Sequence, residues 1–261
     1  MQTVSLHFEE YGTDNEFPLI ILHGFFASNR NWRFIAKQLS DRYHVFNVDL
    51  RNHGSSLHHE LMDYPSMAHD LKAFIDAHGL APAHILGHSM GGKVAMWFAL
   101  HFPAMLQKLI VVDVAPMSYE HSFDPLIDAL KALPLNQLLN RKQADEWLSP
   151  AIENAEFRQF LLQNLVLQEG SFQWRINLDY FKTAGPFIVG FPDLPESLQL
   201  KASTLFIKGE QSNYVHETQV YRFFPHAIVA TIANAGHWLH VEAPEAFLTS
   251  VNDFLNEVHS N

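Results

Sequence analysis

Gly87-His88-Ser89-Met90-Gly91 constrains this chain more than any other stretch. It follows a short apolar run, Ala83-His84-Ile85-Leu86, and opens a helix-period run from Lys93 to Leu100. The pattern glycine-x-serine-x-glycine is weak evidence by itself. Its placement makes it strong. In a strand, sharp turn and helix with serine at the apex, a Cβ two residues to either side would strike neighbouring backbone, so both positions demand glycine. The same geometry stands the serine Oγ free above the sheet edge, over a helix N-terminus. Ser89 is therefore the candidate nucleophile.

The chain has 261 residues, 48% of them hydrophobic, which suits one large domain or one domain with an insertion. A net charge of −11 and the lack of any basic run argue against nucleic acid as a partner. There is no cysteine, which excludes disulfides, thiol nucleophiles and thiolate metal sites. The 17 histidines are scattered and none forms a helical H-E-x-x-H pair, so no metal is expected. No stretch approaches the ~20 apolar residues of a membrane span, and Met1 to His7 lacks the features of a secretory signal. These features describe a soluble, cytoplasmic protein; they leave its oligomeric state open.

Apolar runs alternate with helix-period segments, the mark of an α/β sheet that is mostly parallel and flanked by helices. Strands are expected at 17–22, 43–48, 83–86, 108–112, 204–207 and 228–232, with an antiparallel edge strand within 4–10. Helices are expected at 32–39, 66–78, 93–101 and, closing the chain, Ala243–Val258. The rhythm breaks after Asp113. Residues 115–200 show helical stretches at 124–133, 143–148 and 154–167, interrupted by prolines and rich in large aromatics. This segment is expected to be a helical cap inserted into a core made of 1–114 and 201–261. Most cap aromatics should form its own core, and the remainder should line an acyl pocket.

A serine hydroxyl needs a base within hydrogen-bond reach. His237, in Asn234-Ala235-Gly236-His237-Trp238, lies past the last strand, where a loop brings an imidazole over the carboxyl edge of the sheet. His240 and His88 are expected to be structural, with the His88 side chain pointing away from the serine Oγ.

With these residues the chain resembles the α/β-hydrolase superfamily over nearly its whole length. The matching elements are His23-Gly24-Phe25-Phe26, Asp49-Leu50-Arg51-Asn52-His53-Gly54-Ser55-Ser56, the serine turn, and Gly236-His237 followed by Glu242 and Pro244. The branch it looks most like is the YbfF-type bacterial esterases, capped hydrolases of esters and acyl thioesters. Val112-Asp113-Val114-Ala115-Pro116 supports that closer match.

One stretch departs from the family pattern. Most members carry the acid in a glycine-x-x-aspartate turn, whereas this chain has Gly209-Glu210-Gln211-Ser212. Either Asp113 or Glu210 supplies the acid. Asp113 is favoured because it ends a strand, where α/β sites are assembled. The resemblance also implies Asp113, with Ser212 as an auxiliary hydrogen-bond partner of the histidine. It further implies an oxyanion hole from the backbone N–H groups of Phe25 and Met90. Phe26 and Trp238, beside these motifs, are the candidate substrate contacts.

The expected function is that of a serine carboxylesterase or acyl-thioesterase on short- to medium-chain acyl groups, without a cofactor. The same fold and triad also serve carbon–carbon bond hydrolysis, cofactor-free peroxide chemistry and ligand sensing. Lys131, Arg141, Lys142, Arg158, Arg175 and Lys182 in the cap would meet the phosphates of an acyl-CoA, unless they are ordinary solvated charge.

Overall fold

A computed structural model describes residues 2–257. Among the described residues seven strands form one sheet: β1 (Phe8–Tyr11), β2 (Pro18–Leu22), β3 (His44–Val48), β4 (Ala83–His88), β5 (Leu106–Val112), β8 (Thr204–Gly209) and β9 (Ile228–Ile232). Their order across the sheet is β1-β3-β2-β4-β5-β8-β9. Only β1 runs antiparallel, pairing Phe8 with Val48 and Tyr11 with Val45. All other neighbours are parallel. Strands of a parallel sheet are covered on both faces, so they need continuous apolar runs instead of alternation. Leu19 to Leu22, and Leu109 to Val112, are accordingly fully buried.

Helices α1 (Arg33–Leu39), α2 (Tyr64–His78), α3 (Met90–His101), α8 (Glu217–Phe223), α9 (Leu239–Glu242) and α10 (Pro244–Asn256) accompany the sheet. Local chemistry sets the ends of α2. The Asp63 carboxylate accepts the Ser66 N–H at 2.8 Å, and Gly79 takes the left-handed turn at φ 63°. The closing helix follows expectation as far as Asn256; Val258 lies outside the described residues. Strand order reverses between β2 and β4. The crevice beyond their carboxyl ends is where an α/β sheet gathers ligands.

The segment between β5 and β8 holds α4 (Asp124–Lys131), α5 (Arg141–Leu148), α6 (Ala155–Leu162) and α7 (Leu178–Val189). It departs from the expected all-helical content. The helix read over 154–167 ends at Leu162, and a hairpin follows, β6 (Leu165–Gln168) with β7 (Ser171–Trp174). Its two-residue turn places Glu169 at φ 50° and Gly170 at φ 79°, the double positive φ of a tight hairpin. The signal was a glycine between a short apolar run, Leu165-Val166-Leu167, and an alternating one, Phe172-Gln173-Trp174. Helix α7 was hidden by Pro186 within it.

This segment packs over the carboxyl side of the sheet. Phe181 stacks on Phe25 with centroids 4.6 Å apart, and Asn164 Nδ2 donates to the Phe26 carbonyl at 2.7 Å. Among the described residues no helix is long and apolar enough to cross a membrane.

Candidate active site

Ser89 joins β4 to α3 at φ 52° and ψ −118°, a left-handed conformation that costs any residue with a Cβ. The flanking glycines explain how the turn closes. A Cβ on Gly87 would lie 2.3 Å from the Gly91 carbonyl oxygen, and one on Gly91 would lie 2.5 Å from the His23 carbonyl oxygen. The Ser89 N–H donates to the Val112 carbonyl at 3.0 Å, which ties the turn to the end of β5.

Three side chains meet above these strand ends. His237 Nε2 lies 3.1 Å from Ser89 Oγ, and His237 Nδ1 lies 2.7 Å from Asp113 Oδ2. With a proton on Nδ1, the ring donates to the carboxylate and accepts from the hydroxyl. Asp113 is fully buried and also carries a positive φ, 52°. Its Oδ1 accepts the Gly209 N–H at 3.1 Å and its Oδ2 accepts the Ser212 hydroxyl at 2.6 Å. Three donors thus satisfy the two oxygens of this buried carboxylate. Ser212 therefore bonds the acid, not the histidine as expected. Its short side chain on the β8 turn faces the Asp113 carboxylate beneath the ring. Glu210 is exposed and accepts the Asn234 N–H at 2.8 Å, away from His237.

The loop carrying His237 is clamped on both sides. Glu242 Oε2 accepts the Gly236 N–H, and Oε1 accepts the Trp238 N–H at 3.2 Å. His88 Nε2–H donates to the His237 carbonyl at 2.9 Å. Burial holds the His88 ring well below the usual histidine range, so it remains a neutral donor. His240 stacks on Trp32 at 4.0 Å and burial pushes it down to about 3. Both rings are buried beside the site, and the His88 Nε2–H is turned to the His237 carbonyl. The clamping roles of Glu242 and His88 were not read from sequence. The only hint was the fixed offset of Glu242 from Gly236.

A fixed peptide orients the Phe25 N–H, one of the two expected oxyanion donors. The Gly24 carbonyl accepts both His23 Nδ1–H at 2.8 Å and the Ala27 N–H at 3.2 Å. His23 Nε2 accepts the Leu50 N–H at 3.0 Å, so the buried ring is neutral and immobilised. In a trans peptide the following N–H points opposite the carbonyl. The Phe25 N–H is thereby aimed away from these bonds. Gly24 itself abuts the nucleophile, since a Cβ there would meet Ser89 Cβ at 3.3 Å. Among the described residues the Phe25 and Met90 amides have no hydrogen-bond partner.

A cavity of about 820 Å³ opens at Ser89. Phe25, Phe26 and Trp238 line it, as do Phe123, Phe157 and Phe160 from the segment above. Tyr119 of that segment also lines the cavity, whereas Phe181 is buried in the core and Trp147 and Phe187 are exposed.

A mostly parallel sheet with a serine turn, a histidine loop and a buried carboxylate at its carboxyl edge defines an enzyme of the serine-hydrolase class. A family model described as the alpha/beta hydrolase fold matches residues 18–244. The chain belongs to the α/β-hydrolase family. It is 39% identical over 248 residues to the mouse sn-1-specific diacylglycerol lipase ABHD11, covering 91% of this chain and 80% of that protein. It is 34% identical over 247 residues to esterase YbfF of Escherichia coli strain K12, covering 93% of this chain and 94% of that protein. Among solved structures, a marine microorganism esterase superposes with a TM-score of 0.92 at 38% identity, covering 97% of this chain and all of that one.

Proposed function

We propose that this protein is a serine carboxylesterase acting through an acyl-enzyme on Ser89, with His237 as base and Asp113 as acid. The observation that carries this reading is the unbroken line Ser89 Oγ, His237 Nε2, His237 Nδ1, Asp113 Oδ2, at 3.1 and 2.7 Å. Ser89 attacks the acyl carbonyl while His237 takes its proton. His237 then protonates the leaving alkoxide or thiolate, and a water activated by the same ring releases the acid. The N–H groups of Phe25 and Met90 receive the oxyanion, each worth about 3–4 kcal/mol in the transition state. Ser212 holds the acid in place.

We read residues 115–200 as a cap on a core formed by 1–114 and 201–261, with Phe26 and Trp238 contacting the acyl ester. The cavity favours a neutral ester of short to medium chain over a nucleotide thioester. None of the six basic cap residues lines it. Lys131, Lys142, Arg158 and Lys182 are paired with Asp179, Glu146, Asp145 and Asp128, and Arg141 donates to the Leu165 carbonyl. The names of the mouse and bacterial relatives, a diacylglycerol lipase and an esterase, agree with ester cleavage.

A fluorophosphonate probe should label Ser89 in folded protein and leave Ser89→Ala untouched. Turnover of p-nitrophenyl esters from acetate to decanoate should exceed that of the matching acyl-CoAs and of a vinylogous diketone. Unlabelled Ser89, or faster cleavage of the diketone, would overturn the assignment.

A further inference from the structure

Lys93 is the side chain near the site that the chemistry above leaves without a task. It lies four residues after Ser89, one turn along α3, and is 2% exposed. Its Nζ donates to three consecutive carbonyls at the end of α7: Gly190 at 2.6 Å, Val189 at 3.0 Å and Ile188 at 3.4 Å. The ammonium lies 4.6 Å from the Tyr119 ring centroid and 5.6 Å from that of Tyr64. Among the described residues its hydrogen-bond partners are these carbonyls, with no carboxylate among them, and burial brings it down to about 7.

A buried ammonium without a counter-ion is expensive, and an unbranched apolar side chain of similar length would fill the space at lower cost. What the lysine contributes that methionine cannot is geometry. The carbonyls at a helix C-terminus carry partial negative charge and have no intrahelical donors. One ammonium on the core satisfies them together. The same residues form a wall of the cavity, since Ile188 and Val189 line it beside Lys93, Tyr64 and Tyr119. Two further groups grip this stretch: the Tyr64 hydroxyl, from the core, donates to the Ile188 carbonyl at 2.5 Å, and the Tyr119 N–H, from the start of the same segment, to the Val189 carbonyl at 3.0 Å.

We infer that Lys93 is a specificity-determining positioning residue: by tying the end of α7 to the helix that follows the nucleophile, it fixes the distance from Ser89 to the Ile188–Val189 wall and so limits the acyl chain accepted. This rests on the reading of the cavity as an acyl site. Lys93 does not touch the reacting atoms. It acts through the position of the wall, so its removal should alter which chains bind more than how fast a bound ester reacts.

The test compares wild type, Lys93→Met and Tyr64→Phe on p-nitrophenyl butyrate, hexanoate, octanoate and decanoate, with amide hydrogen exchange followed over residues 187–191. One methylene accepted or refused by an apolar pocket changes kcat/KM by roughly tenfold or more. Lys93→Met should therefore raise the octanoate-to-butyrate ratio of kcat/KM by on the order of tenfold. The change should appear in KM for the longer esters, and the 187–191 amides should exchange faster. Tyr64→Phe, which removes one neutral bond to the same stretch, should move both readouts the same way by less. It also keeps the test decisive if Lys93→Met does not fold. An active wild type with an unchanged chain-length ratio in both variants overturns the role of Lys93 alone. A wild type inactive on every ester overturns the acyl-site reading and this role with it.

Discussion

At the residue scale, the acid defines what the sequence could and could not say. Ser89 and His237 were legible because each stands in a local pattern that only one geometry satisfies. The acid was ambiguous because Asp113 and Glu210 are 97 positions apart in sequence yet follow neighbouring strands, β5 and β8. The two differ in side-chain direction, and direction is a tertiary property. Asp113 turns inward to three donors, whereas Glu210 turns outward to Asn234. Asp113→Asn should lower kcat by about 10⁴-fold, because the amide no longer favours a proton on Nδ1. Glu210→Gln should leave kcat within a factor of about two, since exposed hydrogen bonds are worth little. Steady-state ester kinetics on the two variants, with labelling of Ser89 to confirm folding, separate them. The clamp by Glu242 and His88 escaped sequence reading for the same reason: neither residue belongs to a local pattern that requires it.

At the element scale, what the sequence revealed tracks how each element is buried. Strands covered on both faces read as unbroken apolar runs, and β2, β4, β5 and β8 were found within two residues of their observed ends. The cap hairpin was not found, because β6 and β7 are four residues each and exposed along one side. A pair that short draws its stability from the packing beneath it more than from its own sequence. The strand-turn-helix unit around Ser89 has the opposite character and tolerates no added atom. Gly87→Ala would put a methyl group 2.3 Å from the Gly91 carbonyl, against backbone that cannot rotate aside. It should destabilise the protein by about 3 kcal/mol, measured by urea unfolding. Gly170→Ala, at φ 79° in the open hairpin turn, meets no neighbour and should cost only about 1 kcal/mol.

Across the whole molecule, the buried histidines set the acid limit of stability. Burial lowers His84 to about 4 and His240 to about 3, against about 6.5 when unfolded. Above pH 6.5 both states are neutral at these positions, so neither residue makes stability depend on pH. Below it the unfolded chain binds protons that the folded chain refuses, and stability falls until the folded rings titrate. Each residue should remove about 2 kcal/mol between pH 6.5 and 5. His84→Gln should flatten that slope in urea titrations, and an unchanged slope would exclude His84 as a contributor. A different consequence follows from the positive φ shared by Ser89 and Asp113. Left-handed backbone at a residue with a Cβ stores about 1–3 kcal/mol, so reactivity here is held in tension against durability. Ser89→Gly should release that tension and melt roughly 2–6 °C above wild type. Ser89→Ala, equally inert, keeps the Cβ and should gain nothing. The protein would outlive its own activity on heating by surrendering one hydroxymethyl group.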